Sequence, residues 1–164
     1  MLKLFYKLRE LDFEQLMAVY EEGNRENAEE FFPDDTPTVQ MERAKQSFEE
    51  YLREDFFRVS GALYAVWEEN GEYVSALRLE PYEDGWLLEA LETKPIKRRK
   101  GYAAKLIAAA TEQIPKGPIY SHVGKRNAAS MAVHLKCGFK KILDHAKYVD
   151  GTITHYSVTL RKDI

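Results

Sequence analysis

Apolar positions along this chain change period in a regular order, and that order predicts its elements. Met1 to Lys7 alternates apolar and polar, so residues 2–8 read as a strand. Asp12 is placed as a helix N-cap, with Leu16, Met17, Val19 and Tyr20 following on one helical face. Residues 23–37 are acidic and end in Phe31-Phe32-Pro33-Asp34-Asp35-Thr36-Pro37, which reads as a loop whose paired Phe pack over something. From Thr38 a second helix carries Met41, Ala44, Phe48, Tyr51 and Leu52 at helical spacing. Two strand-like runs, 61–67 and 73–79, are joined through Asn70-Gly71, the strongest short hairpin signal. Tyr82 to Gly85 is a second turn, leading into a strand at 86–93.

The next helix puts Ala103, Leu106, Ile107, Ala110 and Ile114 on one face and stops at Pro115 and Gly117. Residues 119–123 form a short buried strand. Asn127 opens another helix, with Met131, Ala132 and Leu135 expected inside and Gly138 as its stop. Residues 139–143 and 152–160 read as final strands, with Asp150-Gly151 as a hairpin turn before the last. No repeat, low-complexity segment or linker divides the chain. At 164 residues it reads as one domain, 1–164, with room for a sizeable core.

Charge changes this picture more than composition does. The net charge is only −3, but it is unevenly placed. Residues 1–60 hold 8 Lys/Arg against 15 Asp/Glu, and residues 61–93 hold 1 against 8. Residues 94–147 hold 13 against 2. The basic segment suits a polyanionic small molecule or nucleic acid, and the acidic part suits a cation. No apolar run approaches the roughly 18 residues of a membrane span, and the N-terminus has no signal-peptide pattern. A single Cys excludes a disulfide framework and a Cys-rich zinc site. The expectation is a cytoplasmic protein with no membrane partner and no metal.

The chemistry concentrates where the strand at 86–93 gives way to a helix. After Thr93 and Pro95 come four consecutive cations, Lys97 to Lys100, then Gly101, Tyr102, Ala103 and Ala104. A helix start leaves N–H groups unpaired and partly positive, and glycine lets an anion approach the backbone. Strand, basic glycine loop and helix together make a site for a phosphate or pyrophosphate. A Gly between Lys and Arg at a helix start is also an ordinary surface feature.

Arg98-Arg99-Lys100-Gly101-Tyr102-Ala103 fits the pattern [Arg/Gln]-x-x-Gly-x-[Gly/Ala]. Asn127 later opens a helix that closes with Lys136-Cys137-Gly138-Phe139. In this order the residues resemble the GNAT superfamily of acyl-CoA-dependent N-acyltransferases, over roughly residues 60–160. The resemblance implies an α/β (α+β) fold: a mixed, mostly antiparallel sheet of six or seven strands, flanked by about four helices and splayed between the fourth and fifth strands. It implies acetyl-CoA as cosubstrate, with its pyrophosphate on Arg98, Arg99, Lys100, Gly101, Tyr102, Ala103 and Ala104. The pantetheine arm would pair near Leu91 and Thr93 like an added strand, where a backbone N–H would polarise the thioester carbonyl. Asn127 would contact the cofactor arm, a role compatible with plain N-capping.

Seven residues after Asn127, where the family often has a Tyr that protonates the departing thiolate, this chain has His134. A histidine could donate that proton, or it could be a hydrogen-bonded core residue; Tyr148 or a water could serve instead. The attacking amine needs a base, and Glu89 and Glu92 lie on the strand that ends at the cofactor. Strict alternation puts the two on opposite faces, with Glu89 beside Leu91 and Thr93. Glu89 is the candidate base; the plain alternative is a carboxylate paired with a cation or facing solvent.

The leading expectation is therefore an enzyme that moves acetyl from acetyl-CoA to a primary amine by direct attack. The acidic N-terminal third, with Glu21, Glu22, Glu26, Glu29, Glu30, Asp34 and Asp35, favours a cationic amine. A non-catalytic acyl-CoA-binding protein of the same fold is the alternative. Nucleic-acid binding by the basic segment lacks a recognition helix or stacking aromatics, and a homodimer is compatible with the sequence.

Overall fold

The computed structural model describes all 164 residues. Strand β1 (Leu2–Phe5) leads through a 3-10 turn at Leu8–Glu10 into helix α1 (Phe13–Val19). The Asp12 side chain accepts the Gln15 N–H, so the expected cap forms. Helix α2 (Glu21–Phe31) and helix α3 (Pro37–Glu54) follow. Thr36 caps α3, and Pro37 sits in its first turn, where a missing N–H costs nothing. Then come β2 (Leu63–Glu69), β3 (Glu72–Tyr82) and β4 (Gly85–Thr93). Asn70 and Gly71 both take positive φ in the β2–β3 turn, as an Asn-Gly hairpin requires. Helix α4 (Tyr102–Thr111), β5 (Pro118–Gly124), α5 (Ala128–Lys136), β6 (Lys140–Leu143), the short pair β7 (Ala146–Lys147) and β8 (Ile153–Thr154), and β9 (Ser157–Asp163) complete the chain.

Seven strands form one sheet in the order β1-β2-β3-β4-β5-β9-β6, and β7 with β8 forms a separate hairpin. Every neighbouring pair is antiparallel except β4 with β5. Two cores lie on the two faces. Leu106, Ile107, Ala110 and Ile114 of the α4 segment pack with Leu77, Leu79, Leu88, Ile119, Val158 and Leu160 on one face. Leu16, Val19, Leu52 and Phe56 pack with Tyr64, Val66 and Ala76 on the other. Full burial of each large apolar side chain contributes roughly 1.5–3 kcal/mol, so both faces hold the sheet in place.

Three expectations need correction. The chain has five helices, because residues 21–31 of the acidic stretch are helical and only residues 32–36 form a loop. Only Ala28 of α2 is buried, so the sequence carries no apolar stripe to announce it. Phe31 is exposed rather than packed, while Phe32 lies under the Arg43 guanidinium. In α5, Leu135 and Ala132 face out; His134 is the buried residue, one helical turn from the half-buried Met131.

Candidate active site

The parallel contact between β4 and β5 is short. It runs through Trp86–Ile119, Leu87–Tyr120 and Leu88–Ser121 and then stops. Beyond it, β4 stays with β3 as far as Thr93, and β5 stays with β9 as far as Gly124. The two halves of the sheet therefore part at Leu88 and Ser121, leaving a V whose arms begin with Glu89 and His122.

A bulge helps open the V. The register between β3 and β4 jumps from Ala76–Glu92 to Arg78–Glu89, so Ala90 and Leu91 stand opposite Leu77 alone. Ala90 takes φ 49°, strained for a residue with a Cβ. Its carbonyl accepts a 2.6 Å hydrogen bond from the Tyr20 hydroxyl, which in turn accepts one from Tyr64 at 2.9 Å. Tyr64 is buried and Tyr20 half-buried with its hydroxyl enclosed, and this raises both hydroxyl pKa values, Tyr64 to about 12. They stay protonated and hold the bulge. With the Ala90 carbonyl turned to α1, the Leu91 N–H on the same trans peptide points the opposite way.

The bulge also corrects the alternation. Glu89 and Glu92 pair with Arg78 and Ala76, two residues apart on β3, so both carboxylates face the α1–α3 side. Leu91 packs on the α4 side, and Thr93 is buried with its hydroxyl 2.9 Å from Ser75. On the α1–α3 side, Arg78 lies over Tyr51 and Phe56 and 3.6 Å from Glu89. Glu80 lies in the same cluster. Burial and the neighbouring Glu89 push its carboxyl up to about 7.

Behind the V stands the glycine loop. Gly101 caps α4 with φ 81° and no side-chain bond, and its carbonyl accepts the Lys105 N–H. The N–H groups of Tyr102, Ala103 and Ala104 precede that first helical bond. A Cβ built on Gly101 would meet nothing within 4 Å, so the backbone borders open space, as an anion cradle requires. Arg99 and Lys100 are exposed and make no ion pair. The other cations are engaged. Arg98 pairs with Glu22 and with Glu92 at 3.0 Å and donates to the Thr93 carbonyl at 3.1 Å, and Lys97 reaches Glu72 at 3.3 Å.

Asn127 caps α5, its side chain accepting the Ser130 N–H at 3.0 Å. It also lines an open cavity of about 680 Å³ with Gly124, Lys125, Arg126, His155 and Tyr156. A second cavity, about 390 Å³, is lined only by residues of α1, α2 and α3, away from the loop and the V. His134 is 2 % exposed. Its Nδ1 lies 2.8 Å from the Ser130 carbonyl and its Nε2 2.9 Å from Ser121 Oγ. A carbonyl only accepts, so Nδ1 carries the hydrogen and Nε2 accepts from the serine. Burial lowers the His134 pKa, which favours this neutral form. No three His, Cys, Asp or Glu side chains converge as metal ligands, and no helix is long and apolar enough to cross a membrane.

The structure therefore gathers the expected residues in two places. Gly101 to Ala104 form the loop at the start of α4, and Glu89, Leu91 and Thr93 lie on the β4 arm. Sequence reading missed His122, Ser121, Tyr20 and Glu80. Histidine in an apolar run was the available signal for His122; the others are identified only by the V and the bulge.

Residues 12–139 match the model of the acetyltransferase (GNAT) family. No curated protein is similar enough in sequence to match. Among solved structures, the PaiA N-acetyltransferase of Thermoplasma acidophilum, in complex with coenzyme A, is 15 % identical with TM-score 0.67, covering 100 % of this chain and 99 % of that one. An acetyltransferase of Streptococcus agalactiae is 17 % identical with TM-score 0.66, covering 99 % and 98 %. An aminoglycoside 6′-acetyltransferase of type Ii is 15 % identical with TM-score 0.64, covering 99 % and 96 %. At these identities the likeness is one of fold.

Proposed function

This chain belongs to the acetyltransferase (GNAT) family, and from that premise we propose that it moves acetyl from acetyl-CoA to a primary amine by direct attack, without a covalent enzyme intermediate. The observation that carries the reading is the V between β4 and β5, opening beside an uncovered glycine loop at the start of α4. That a neighbour of the same fold holds coenzyme A agrees with it.

In this reading the cosubstrate enters from the α4–α5 side. The pyrophosphate lies on the N–H groups of Gly101 to Ala104, with Arg99 and Lys100 adding exposed and therefore modest attraction. Arg98, held by Glu22 and Glu92, shapes the loop more than it meets phosphate. The pantetheine runs along the unpaired edge of β4 at Leu91 and Thr93, with Asn127 across from it. The Leu91 N–H, aimed by the Tyr20–Ala90 bond, stabilises charge on the thioester oxygen. His134 accepts a hydrogen bond from the Ser121 hydroxyl and fixes it on the β5 arm, while the departing sulfur takes its proton from the acceptor nitrogen. The amine approaches from the α1–α3 side, where Glu89 and Glu80 draw an ammonium and tyrosine faces accept one. That lining favours cationic amines such as polyamines or aminoglycosides.

The test is thiol release from acetyl-CoA with spermidine, kanamycin and a lysine-containing peptide. Gly101→Asp should abolish acetyl-CoA binding by calorimetry while the protein stays folded, since its Cβ meets open space and the added strain is about 1–3 kcal/mol. Unchanged affinity would refute the loop assignment. Tight binding with no thiol release from any amine would make the protein a non-catalytic acyl-CoA binder.

A further inference from the structure

We propose that His122 takes the proton from the acceptor amine, and that Glu89, across the V, holds the ammonium before it is deprotonated. The inference rests on the acetyl-transfer reading and adds a catalytic residue to it.

Strand register leads to both residues, because pairing ends at Leu88–Ser121 and Glu89 and His122 come next on their strands. One further step of the same register would set Glu89 opposite His122, and the strands diverge from that point. They are the first residues on the two diverging arms. Ser121 points to α5, where it meets His134, so His122 points to the other face. Its neighbours agree: Tyr82 is edge-on at 5.7 Å, and Tyr82 alternates with Glu80 and Arg78 on β3. His122 therefore stands on the amine's side of the V, at its apex.

The hydrogen-bonding capacity of His122 is unmet. Neither ring nitrogen has a partner, and both are out of solvent. Such a group costs about 1–3 kcal/mol, and His134 shows how this fold satisfies a structural histidine, with a partner on each nitrogen. An amine bound at the apex would supply the missing partner.

The immediate surroundings of His122 are uncharged. They are Tyr82 from β3, Tyr148 from the β7–β8 hairpin at 5.0 Å, Tyr120 on its own strand and Thr159 opposite on β9. The charged or titratable groups on this face are Glu89, Arg78 and Glu80 across the V, Asp84 bonded to the Tyr120 hydroxyl, Lys147 paired with Glu83, and Arg161 paired with Asp163. Burial lowers the His122 pKa, so the ring is neutral and able to accept a proton at pH 7. Glu89 is already engaged by Arg78 at 3.6 Å, which places its carboxylate to attract the ammonium rather than to face it alone. The hairpin is pinned over this face by the Tyr82 hydroxyl, which donates to the Lys147 carbonyl at 2.5 Å.

The protons balance. The acceptor arrives as R–NH3⁺ and gives one proton to a His122 nitrogen, which later releases it to water. The free amine forms the N–C bond as the C–S bond breaks. The second proton passes from the nitrogen to the sulfur, directly or through a water, so the sulfur departs as the thiol as the amide forms.

The experiment measures kcat/KM for spermidine at saturating acetyl-CoA from pH 5.5 to 9.5. His122→Gln should lower the value at pH 7 by about a hundredfold, in the usual range for losing a base. It should also move the acid limb upward by about one pH unit or more, toward the ionisation of the amine itself, with the KM for acetyl-CoA and the melting temperature unchanged. His122→Asn is the second variant should the first fold poorly. An acid limb that stays in place in both variants overturns the inference, as does loss of that limb in Glu89→Gln instead. If the wild type releases no thiol with spermidine, kanamycin or the lysine peptide, the acetyl-transfer reading fails, and the inference with it.

Discussion

His134 and His122 are 12 positions apart and carry opposite hydrogen-bonding states. His134 is enclosed, with Ser130 and Ser121 on its two nitrogens. His134→Phe removes the acceptor that orients Ser121, so turnover should fall by about tenfold or more, equivalent to about 1.4 kcal/mol in the barrier. Acetyl-CoA affinity measured by calorimetry should change little. Equal turnover in the two proteins would reduce His134 to packing. At this scale the sequence was informative where a residue's role is local. Asp12 and Asn127 cap their helices because a short side-chain oxygen reaches its own first turn. It was uninformative about Glu80, whose raised pKa comes from burial and from a carboxylate on another strand.

Among the elements, the β4–β5 pair decides the site, and Gly85 decides the pair. A Cβ on Gly85 would lie 2.0 Å from the Pro118 carbonyl oxygen, a backbone atom that cannot turn aside. Gly85→Ala should destabilise the fold by about 3 kcal/mol, the upper end for overpacking, read as a lower denaturant midpoint. It should also weaken acetyl-CoA binding more than Gly71→Ala, whose added Cβ meets nothing within 4 Å. The hairpins and α3 and α4 were legible because turn residues and apolar stripes are local signals, and α5 was legible from its Asn127 cap and Gly138 stop but not from its buried face. Helix α2 was not, since its face buries only Ala28. The bulge at Ala90 was not, because a single extra residue leaves no mark on an apolar run. It then reverses the face of each residue beyond it, which is why Glu92 joins Glu89 against simple alternation.

Across the whole molecule, charge divides with the chain. The acidic first 93 residues supply α1, α2 and α3 on one face of the sheet, and the basic segment supplies α4 and α5 on the other. An anionic cosubstrate and a cationic acceptor would each meet the favourable sign. Acceptors with a second positive charge should therefore show the lower KM at low salt, and added salt should erase the difference within a Debye length of about 8–10 Å. A screen in which neutral or anionic amines outperform diamines at low salt would remove the case for a cationic substrate.

The sequence by itself determined the strand–glycine loop–helix order, the charge division and the helix caps, because each depends on residues within a few positions of one another. Only the tertiary structure decided which residues meet at the apex of the V. That outcome depends on where β4 stops pairing with β5, and the stop comes with a bulge held by Tyr20, 70 residues away. Contacts over such separations are set by packing on both faces of the sheet, and no local pattern encodes them.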